Sequence, residues 1–154
     1  MIYDFLVKAA ADYVLILIVL IGAYALIFKI PKGKRFKAYC RILVAGLTAY
    51  LLAKLVGSIY QPETLRPFEL IGKAAGASYL GNGGFPSDHV LFATAITCAV
   101  WFETKQKVLT WILAILVVVV GIGRILALVH TPLDVIGGVI FALFGALWYL
   151  NSKE

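Results

Sequence analysis

The stretch VLTWILAILVVVVGIGRILALV, residues 108–129, decides the fold class, because Arg124 is its only charged side chain. An α-helix needs about 20 apolar residues to cross the hydrocarbon core of a bilayer. Four further stretches have this character, at about residues 12–28, 42–60, 89–102 and 133–150. The sequence therefore predicts an all-α integral membrane bundle with about five transmembrane helices, and a single membrane-embedded domain covering residues 1–154.

The composition supports a membrane location. Hydrophobic residues make up 62% of the chain, whereas soluble domains contain roughly 45–50%. A soluble core cannot bury such an excess. The N-terminal segment MIYDFLVK, residues 1–8, has no basic start and carries Asp4, so it does not resemble a signal peptide. It predicts a short amphipathic helix at the membrane interface.

The basic residues predict the orientation in the membrane. Six of the 14 Lys and Arg residues lie within KIPKGKRFKAYCR, residues 29–41, and such a cluster beside an apolar span is typical of the cytoplasmic face. With five spans, Lys105, Lys107 and Lys153 fall on the same face. The 61–88 loop and the turn at His130 then lie on the extracytoplasmic side of the cell membrane. Because the charge is explained in this way, no nucleic-acid partner is expected.

The two histidines of the chain, His89 and His130, each begin a predicted helix at this opposite face. In FPSDH, residues 85–89, Ser87 is the expected N-cap. In HTPLD, residues 130–134, Thr131 is the expected N-cap and a proline follows at the first helical position. Free N–H groups at helix N-termini favour anions, so the sequence predicts an anion site here.

The residue types around His130 indicate phosphate chemistry. Asp134 follows His130 by four positions, a spacing that lets a carboxylate orient an imidazole and leave its other nitrogen as a nucleophile or base. Arg124 and Arg66 supply planar guanidinium groups, which suit phosphate oxygens. The carboxylates are scattered and no histidine pair shares a helix face, so the pattern does not predict a metal site or another cofactor.

Three segments together resemble the signature blocks of the type-2 phosphatidic acid phosphatase superfamily: LRP at 65–67, PSDH at 86–89 and GRILALVHTPLD at 123–134. The resemblance covers roughly residues 40–150 and is most specific in the third block. It is greatest to the bacitracin-resistance branch, which dephosphorylates undecaprenyl diphosphate outside the cytoplasmic membrane. It implies a metal-independent phosphatase that binds membrane lipids and takes a lipid phosphate or diphosphate as substrate.

The resemblance also implies a role for each matching residue. His130 attacks phosphorus to form a phosphohistidine, Asp134 orients and activates it, and His89 protonates the leaving oxygen. The phosphoryl oxygens are held by Arg66, Arg124, Ser87 and Lys54.

Two positions depart from the family pattern. Gly123 stands where the third block has serine, which removes one donor to phosphate. Ile59 stands where the first block has lysine, and eleven residues separate Lys54 from Arg66. Lys54 takes the first-block role if the intervening loop is an insertion. Lys73 is the reserve candidate for that role.

Alternatives remain open at this point. Phosphatidylglycerophosphate or phosphatidate is a possible substrate, because the residues of the motifs bind the phosphate and do not distinguish between lipid tails. Two other classes of protein are also compatible with the sequence. One is a membrane haem protein in which His89 and His130 are the axial ligands, and the other is an inactive family member that serves as a scaffold. The oligomeric state does not follow from the sequence.

Overall fold

The computed structural model describes residues 2–150, and all regular elements in that range are helical. The helices are α1 (Ile2–Lys8), α2 (Val14–Phe28), α3 (Arg35–Ile59), α4 (Pro67–Leu70), α5 (Asp88–Thr104), α6 (Lys107–Leu126) and α7 (Pro132–Leu150). Four helical segments are long and apolar enough to cross a membrane: Ile2–Phe28, Lys32–Ile59, Lys107–Leu126 and Pro132–Leu150. The predicted all-α membrane bundle is therefore confirmed.

The remaining predicted span corresponds to α5, which lies at the centre of the bundle. Its 17 residues give a length of about 26 Å at 1.5 Å per residue. It contacts α2, α3, α6 and α7, and Val90, Ala93 and Val100 belong to the main buried core. Because neighbouring helices cover much of its surface, although Phe92 and Trp101 stay exposed, its sequence is less uniformly apolar than that of the lipid-facing helices.

The N-terminal helix exists, but it is not separate from the first span. The π-helical turn Ala9–Tyr13 joins α1 to α2, so helix continues from Ile2 to Phe28. Val7 and Ala11 are buried in a cluster that also contains Val129. The segment predicted to lie at the interface is thus held against the rest of the protein by apolar packing. A π-helical turn inside an α-helix often marks a functional position.

A glycine allows α5 and α7 to approach closely. A Cβ atom at Gly138 would lie 2.7 Å from the carbonyl oxygen of Ser87 and 3.1 Å from the backbone nitrogen of Leu91. Any larger residue would force the two helices apart, as expected where small residues line a membrane helix interface.

The helix order places the basic cluster and the predicted site at opposite ends of the bundle. At the basic end, Arg41 Nε and Nη2 donate to the two carboxylate oxygens of Glu103 over 2.7 and 2.6 Å. Arg35 Nη2 donates to the carbonyl oxygen of Ile27 over 2.7 Å, which satisfies one free acceptor at the end of α2. Lys153, assigned to this face from the sequence, lies outside the described residues.

Candidate active site

The turn between α6 and α7 carries His130 and is fixed by backbone hydrogen bonds. The N–H groups of Val129 and His130 both donate to the carbonyl oxygen of Arg124 over 3.3 Å. Leu128 has a left-handed conformation, with φ of 61°, which reverses the chain direction there. His130 is consequently buried, with only 5% of its surface exposed.

The first turn of α7 positions Asp134. The N–H of Thr131 donates to Asp134 Oδ2 over 2.7 Å, and the N–H of Asp134 donates to Thr131 Oγ1 over 3.3 Å. This is the reciprocal arrangement of a capping box, with Thr131 as the predicted cap. It holds the carboxylate so that Oδ2 lies 3.4 Å from His130 Nδ1. The imidazole and the carboxylate lie close together as predicted, but His130 Nδ1 makes no hydrogen bond within residues 2–150.

This environment favours the neutral imidazole. Burial lowers the pKa of His130, and the neighbouring carboxylate of Asp134 opposes the shift only in part. A histidine with a pKa below the usual value of about 6.5 is uncharged at neutral pH. With Nδ1 facing Asp134, Nε2 is the nitrogen suited to act as a nucleophile.

Ser87 connects the two helix N-termini. Its backbone N–H donates to the carbonyl oxygen of Asp134 over 3.0 Å, so α5 begins beside the first turn of α7. Ser87 occupies the N-cap position of α5 as predicted, but its hydroxyl makes no capping hydrogen bond. The Oγ atom is buried and, in the part of the chain that the structure describes, has no hydrogen-bond partner. Its predicted contact with a phosphoryl oxygen stays a prediction.

Arg124 lies beside both histidine-bearing segments and is 1% exposed. Its Nη1 donates to Oδ1 of Asp12 over 2.9 Å, and His89 Nε2 lies 3.9 Å from the same oxygen. Arg124 Nε is buried and, within residues 2–150, makes no hydrogen bond. An uncompensated buried donor is costly, and a phosphoryl oxygen is a suitable acceptor for it.

Arg66 fastens the long loop between α3 and α5 to the His130 turn. Its Nη1 donates to the carbonyl oxygen of Val129 over 2.6 Å. Its Nη2 lies within 3.0–3.3 Å of the carbonyl oxygens of Leu80 and Asn82 and of the Asn82 side chain. Arg66 also borders a polar cavity of about 300 Å³ together with Thr131 and Asp134. Its predicted phosphate contact stays a prediction.

Lys54 lies at the edge of the site, where it forms an ion pair. Its Nζ is 2.8 Å from both carboxylate oxygens of Asp88, the residue that precedes His89. The structure thus brings Lys54 to the second block, where its charge compensates that of Asp88. Ile59, at the position of the first-block lysine, is 80% exposed.

An apolar cavity opens beside His89. It has a volume of about 650 Å³ and lies among α2, α3 and α5. Leu15, Leu47 and Phe92 are among its walls, and Asp88 and His89 form its polar end. The cavity has the character expected of a site for a hydrocarbon chain with a polar head.

Comparison with known proteins identifies the family of this chain. The sequence profile described as the PAP2 superfamily matches residues 37–154, which is more than half of the chain. The chain belongs to the PAP2 superfamily. The match begins within α3 and includes all three blocks.

Two curated members of the bacitracin-resistance group are similar to this PAP2 chain. Undecaprenyl-diphosphatase BcrC of Bacillus subtilis (strain 168) is 34% identical over 146 residues, covering 86% of this chain and 69% of that protein. The bacitracin transport permease protein BcrC of Bacillus licheniformis is 31% identical over 109 residues, covering 69% of this chain and 51% of that protein. The chain thus aligns with about half the length of the latter. No solved structure matches significantly.

Sequence reasoning missed Asp12, which lies outside the region matched to the PAP2 superfamily. A signal for it was present, because a carboxylate at the start of an apolar span is costly and indicates a functional position. Its partners are Arg124, 112 residues away, and the backbone N–H of Ser78. Neither contact is visible in any local spacing.

Proposed function

We propose that this protein is a lipid phosphatase that hydrolyses a polyprenyl diphosphate at the extracytoplasmic face of the cell membrane. Undecaprenyl diphosphate is the proposed substrate, since it is the one named for the B. subtilis relative. The observation that carries the proposal is the convergence on His130. The imidazole faces the Asp134 carboxylate at 3.4 Å, and two buried donors, Ser87 Oγ and Arg124 Nε, lack partners within the described residues.

In the first chemical step, Nε2 of neutral His130 attacks the terminal phosphorus. The N–P bond forms as the P–O bond to the lipid monophosphate breaks, and the leaving oxygen takes its electron pair. A proton from His89 neutralises that oxygen. Asp134 stabilises the positive charge that develops on the imidazole through Nδ1, as in nucleophile–base–carboxylate triads.

In the second step, water hydrolyses the phosphohistidine. His89, now without its proton, removes a proton from water as the O–P bond forms and the N–P bond breaks. Inorganic phosphate leaves and His130 returns to its neutral state. Arg124, Arg66 and Ser87 offset the charge on the equatorial oxygens in both transition states, where fixed donors in a buried site are most effective.

The two cavities suit the two halves of such a substrate. The polar cavity, the proposed place of the diphosphate, is bordered by Arg66, Asn82 and Thr131, and the carboxylates of Glu63, Glu69 and Asp134 also lie in its wall. The apolar cavity begins at His89 and extends among α2, α3 and α5, where part of the hydrocarbon chain is shielded. Lateral entry from the bilayer follows from this placement.

The proposed side of the membrane rests on charge distribution. Arg41 and the rest of the 29–41 cluster lie at the end of the bundle opposite His130, and basic clusters of this kind face the cytoplasm. Cysteine labelling from outside the cell tests this assignment. An S58C variant at the exposed end of α3 should react with an impermeant maleimide, whereas K32C should not.

Phosphate release from a substrate panel tests the activity. Undecaprenyl diphosphate, phosphatidylglycerophosphate and phosphatidate should be compared at equal surface concentration, with and without a chelator. We expect the diphosphate to be preferred, full activity with the chelator, and no release by a folded H130A variant. Activity in H130A equal to that of the parent protein would overturn the proposal, and preference for a phospholipid phosphate would reassign the substrate.

A further inference from the structure

Asp12 is the one carboxylate that the N-terminal helix contributes to the site. Its Oδ1 accepts a 2.9 Å hydrogen bond from Arg124 Nη1 and lies 3.9 Å from His89 Nε2. Its Oδ2 accepts a 3.0 Å hydrogen bond from the backbone N–H of Ser78. The carboxylate is therefore itself fixed on one side while it contacts residues of the second and third blocks on the other.

Gly123 is the residue that admits Asp12. A Cβ atom at position 123 would lie 2.6 Å from the backbone nitrogen of Ala11 and 2.7 Å from the carbonyl carbon of Ala10. These are main-chain atoms, so a serine or alanine would displace the helix rather than a flexible side chain. The position where the family pattern has a serine is thus occupied by backbone of the N-terminal helix.

The π-helical turn Ala9–Tyr13 sets the direction of the carboxylate. This turn packs against α6 and contains both the residues that contact Gly123 and Asp12 itself. A π-helical turn accommodates an additional residue relative to an α-helical turn. The additional residue rotates the helix after the turn relative to the helix before it, so that Asp12 faces Arg124 while α2 continues along the bundle.

From these contacts we propose that Asp12 is a positioning residue of the active site, which holds the Arg124 guanidinium through Nη1 and leaves Nε available to a phosphoryl oxygen. This inference rests on the proposed function. A guanidinium is planar and rigid, so fixing one of its nitrogens restricts the orientation of the whole group. Asp12 also compensates the charge of Arg124, which would otherwise be buried without a partner at considerable cost.

The replacement of serine by glycine in the third block is therefore part of a different arrangement of the same site. A side-chain donor to phosphate is absent, and a carboxylate that orients the neighbouring arginine is present. His89 Nε2 lies 3.9 Å from the Asp12 oxygen that accepts from Arg124, so Asp12 also lies next to the residue proposed to protonate the leaving group.

Substitutions at Asp12 test the inference in the purified full-length protein. The D12N variant keeps the shape of the side chain, but its amide has one acceptor oxygen in place of the two carboxylate oxygens. We expect kcat/KM for undecaprenyl diphosphate to fall about 10- to 100-fold, the range typical of outer-shell partners in metal sites. Thermal unfolding should move to lower temperature, because the buried Arg124 loses its compensating charge, so activities are compared below that transition. D12E should recover part of the activity. D4N, which alters an exposed carboxylate of the same helix, should match the parent protein.

Inhibition by inorganic phosphate distinguishes positioning from competition. If Asp12 orients Arg124, D12N binds phosphate more weakly and the inhibition constant rises several-fold. If the carboxylate only competes with phosphate for Arg124, D12N binds phosphate more tightly, and a fall in the inhibition constant would overturn the inference.

A double-mutant cycle shows whether Asp12 acts through Arg124. The R124K variant retains the positive charge but lacks the planar guanidinium. In that background D12N should cause little further loss of kcat/KM. G123A should resemble D12N, because it displaces the helix that carries the carboxylate, and it serves as the test if D12N does not fold. Parent-level kcat/KM in folded D12N or G123A, or an undiminished effect of D12N in R124K, would refute the inference. Failure of the proposed function appears separately, as an inactive parent protein or an active H130A.

Discussion

The backbone N–H of Ser87 donates a 3.0 Å hydrogen bond to the backbone carbonyl oxygen of Asp134. This hydrogen bond joins the start of α5 to the first turn of α7, and with it the second sequence block to the third. Two helix N-termini consequently approach each other at one end of the bundle, where their dipoles and free N–H groups favour a negatively charged group.

Replacing Asp134 by asparagine should slow phosphate release by about 10³-fold or more, as loss of the orienting carboxylate does in comparable triads. The amide keeps nearly the same shape but does not stabilise the imidazolium that forms. The measurement is kcat for undecaprenyl diphosphate with thermal unfolding as the control for folding. T131A, which removes only the capping hydroxyl opposite Asp134, should retain far more activity. Equal losses in the two variants would show that the carboxylate acts only as a helix cap.

The pH dependence of kcat/KM should follow the ionisation of the His130 imidazole. Because burial lowers its pKa, the acid limb of the profile should have its midpoint below pH 6.5, the usual value for histidine. Above that midpoint the imidazole is neutral and reactive, and activity is lost as the pH falls through it.

The carboxylate of Asp134 raises the pKa of His130 against the effect of burial. Removal of that charge in D134N should therefore move the acid limb to still lower pH, although the maximal rate is reduced. An acid limb that moves to higher pH in D134N would contradict the assignment of His130 as the titrating nucleophile.

The loss of activity in the H89A variant should depend strongly on the leaving group of the substrate. For a phosphate monoester with an alkyl leaving group, loss of a general acid should lower kcat/KM by about 10²- to 10⁴-fold. This ratio is the one to compare, because it reports the first phosphoryl transfer and not the later hydrolysis of the phosphohistidine, in which His89 acts as base for every substrate. For an aryl phosphate such as p-nitrophenyl phosphate, whose leaving group needs no proton, the loss should be much smaller. The loss should be measured for a series of substrates with different leaving-group pKa values and plotted against that pKa. An equal loss of kcat/KM for every substrate would exclude the acid role of His89.

The Lys54–Asp88 pair should be tested as a pair. K54A leaves the Asp88 carboxylate uncompensated next to His89 and the phosphate site, so kcat/KM should fall about 10-fold or more, since loss of one partner leaves a partly buried charge. The K54A/D88N double variant should recover much of the loss, because the repelling charge is removed as well.

K73A, an exposed loop lysine, is the matched control and should equal the parent protein. If the double variant is as impaired as K54A, Lys54 binds the phosphoryl group directly. In that case it fills the first-block role in spite of its different spacing.

Much of the site could be predicted because its spacing is local. His130 and Asp134 lie four residues apart on adjoining turn and helix, so the carboxylate necessarily approaches the imidazole once α7 begins at Pro132. Ser87 and Thr131 were likewise placed at helix starts by their own neighbours. Apolar length alone predicted the four helices that are long and apolar enough to cross a membrane, because the bilayer thickness imposes a minimum on each.

What the sequence by itself determined is therefore the membrane bundle and the local arrangement of residues within the three blocks. Only the tertiary structure decided which other charges join them. Asp12 reaches Arg124 across 112 positions, and Lys54 pairs with Asp88 across 34. It also decided that the N-terminal segment continues into the first span. The physical reason is that a buried charge selects its partner by distance in the folded chain, and such distances depend on helix packing that no local pattern encodes.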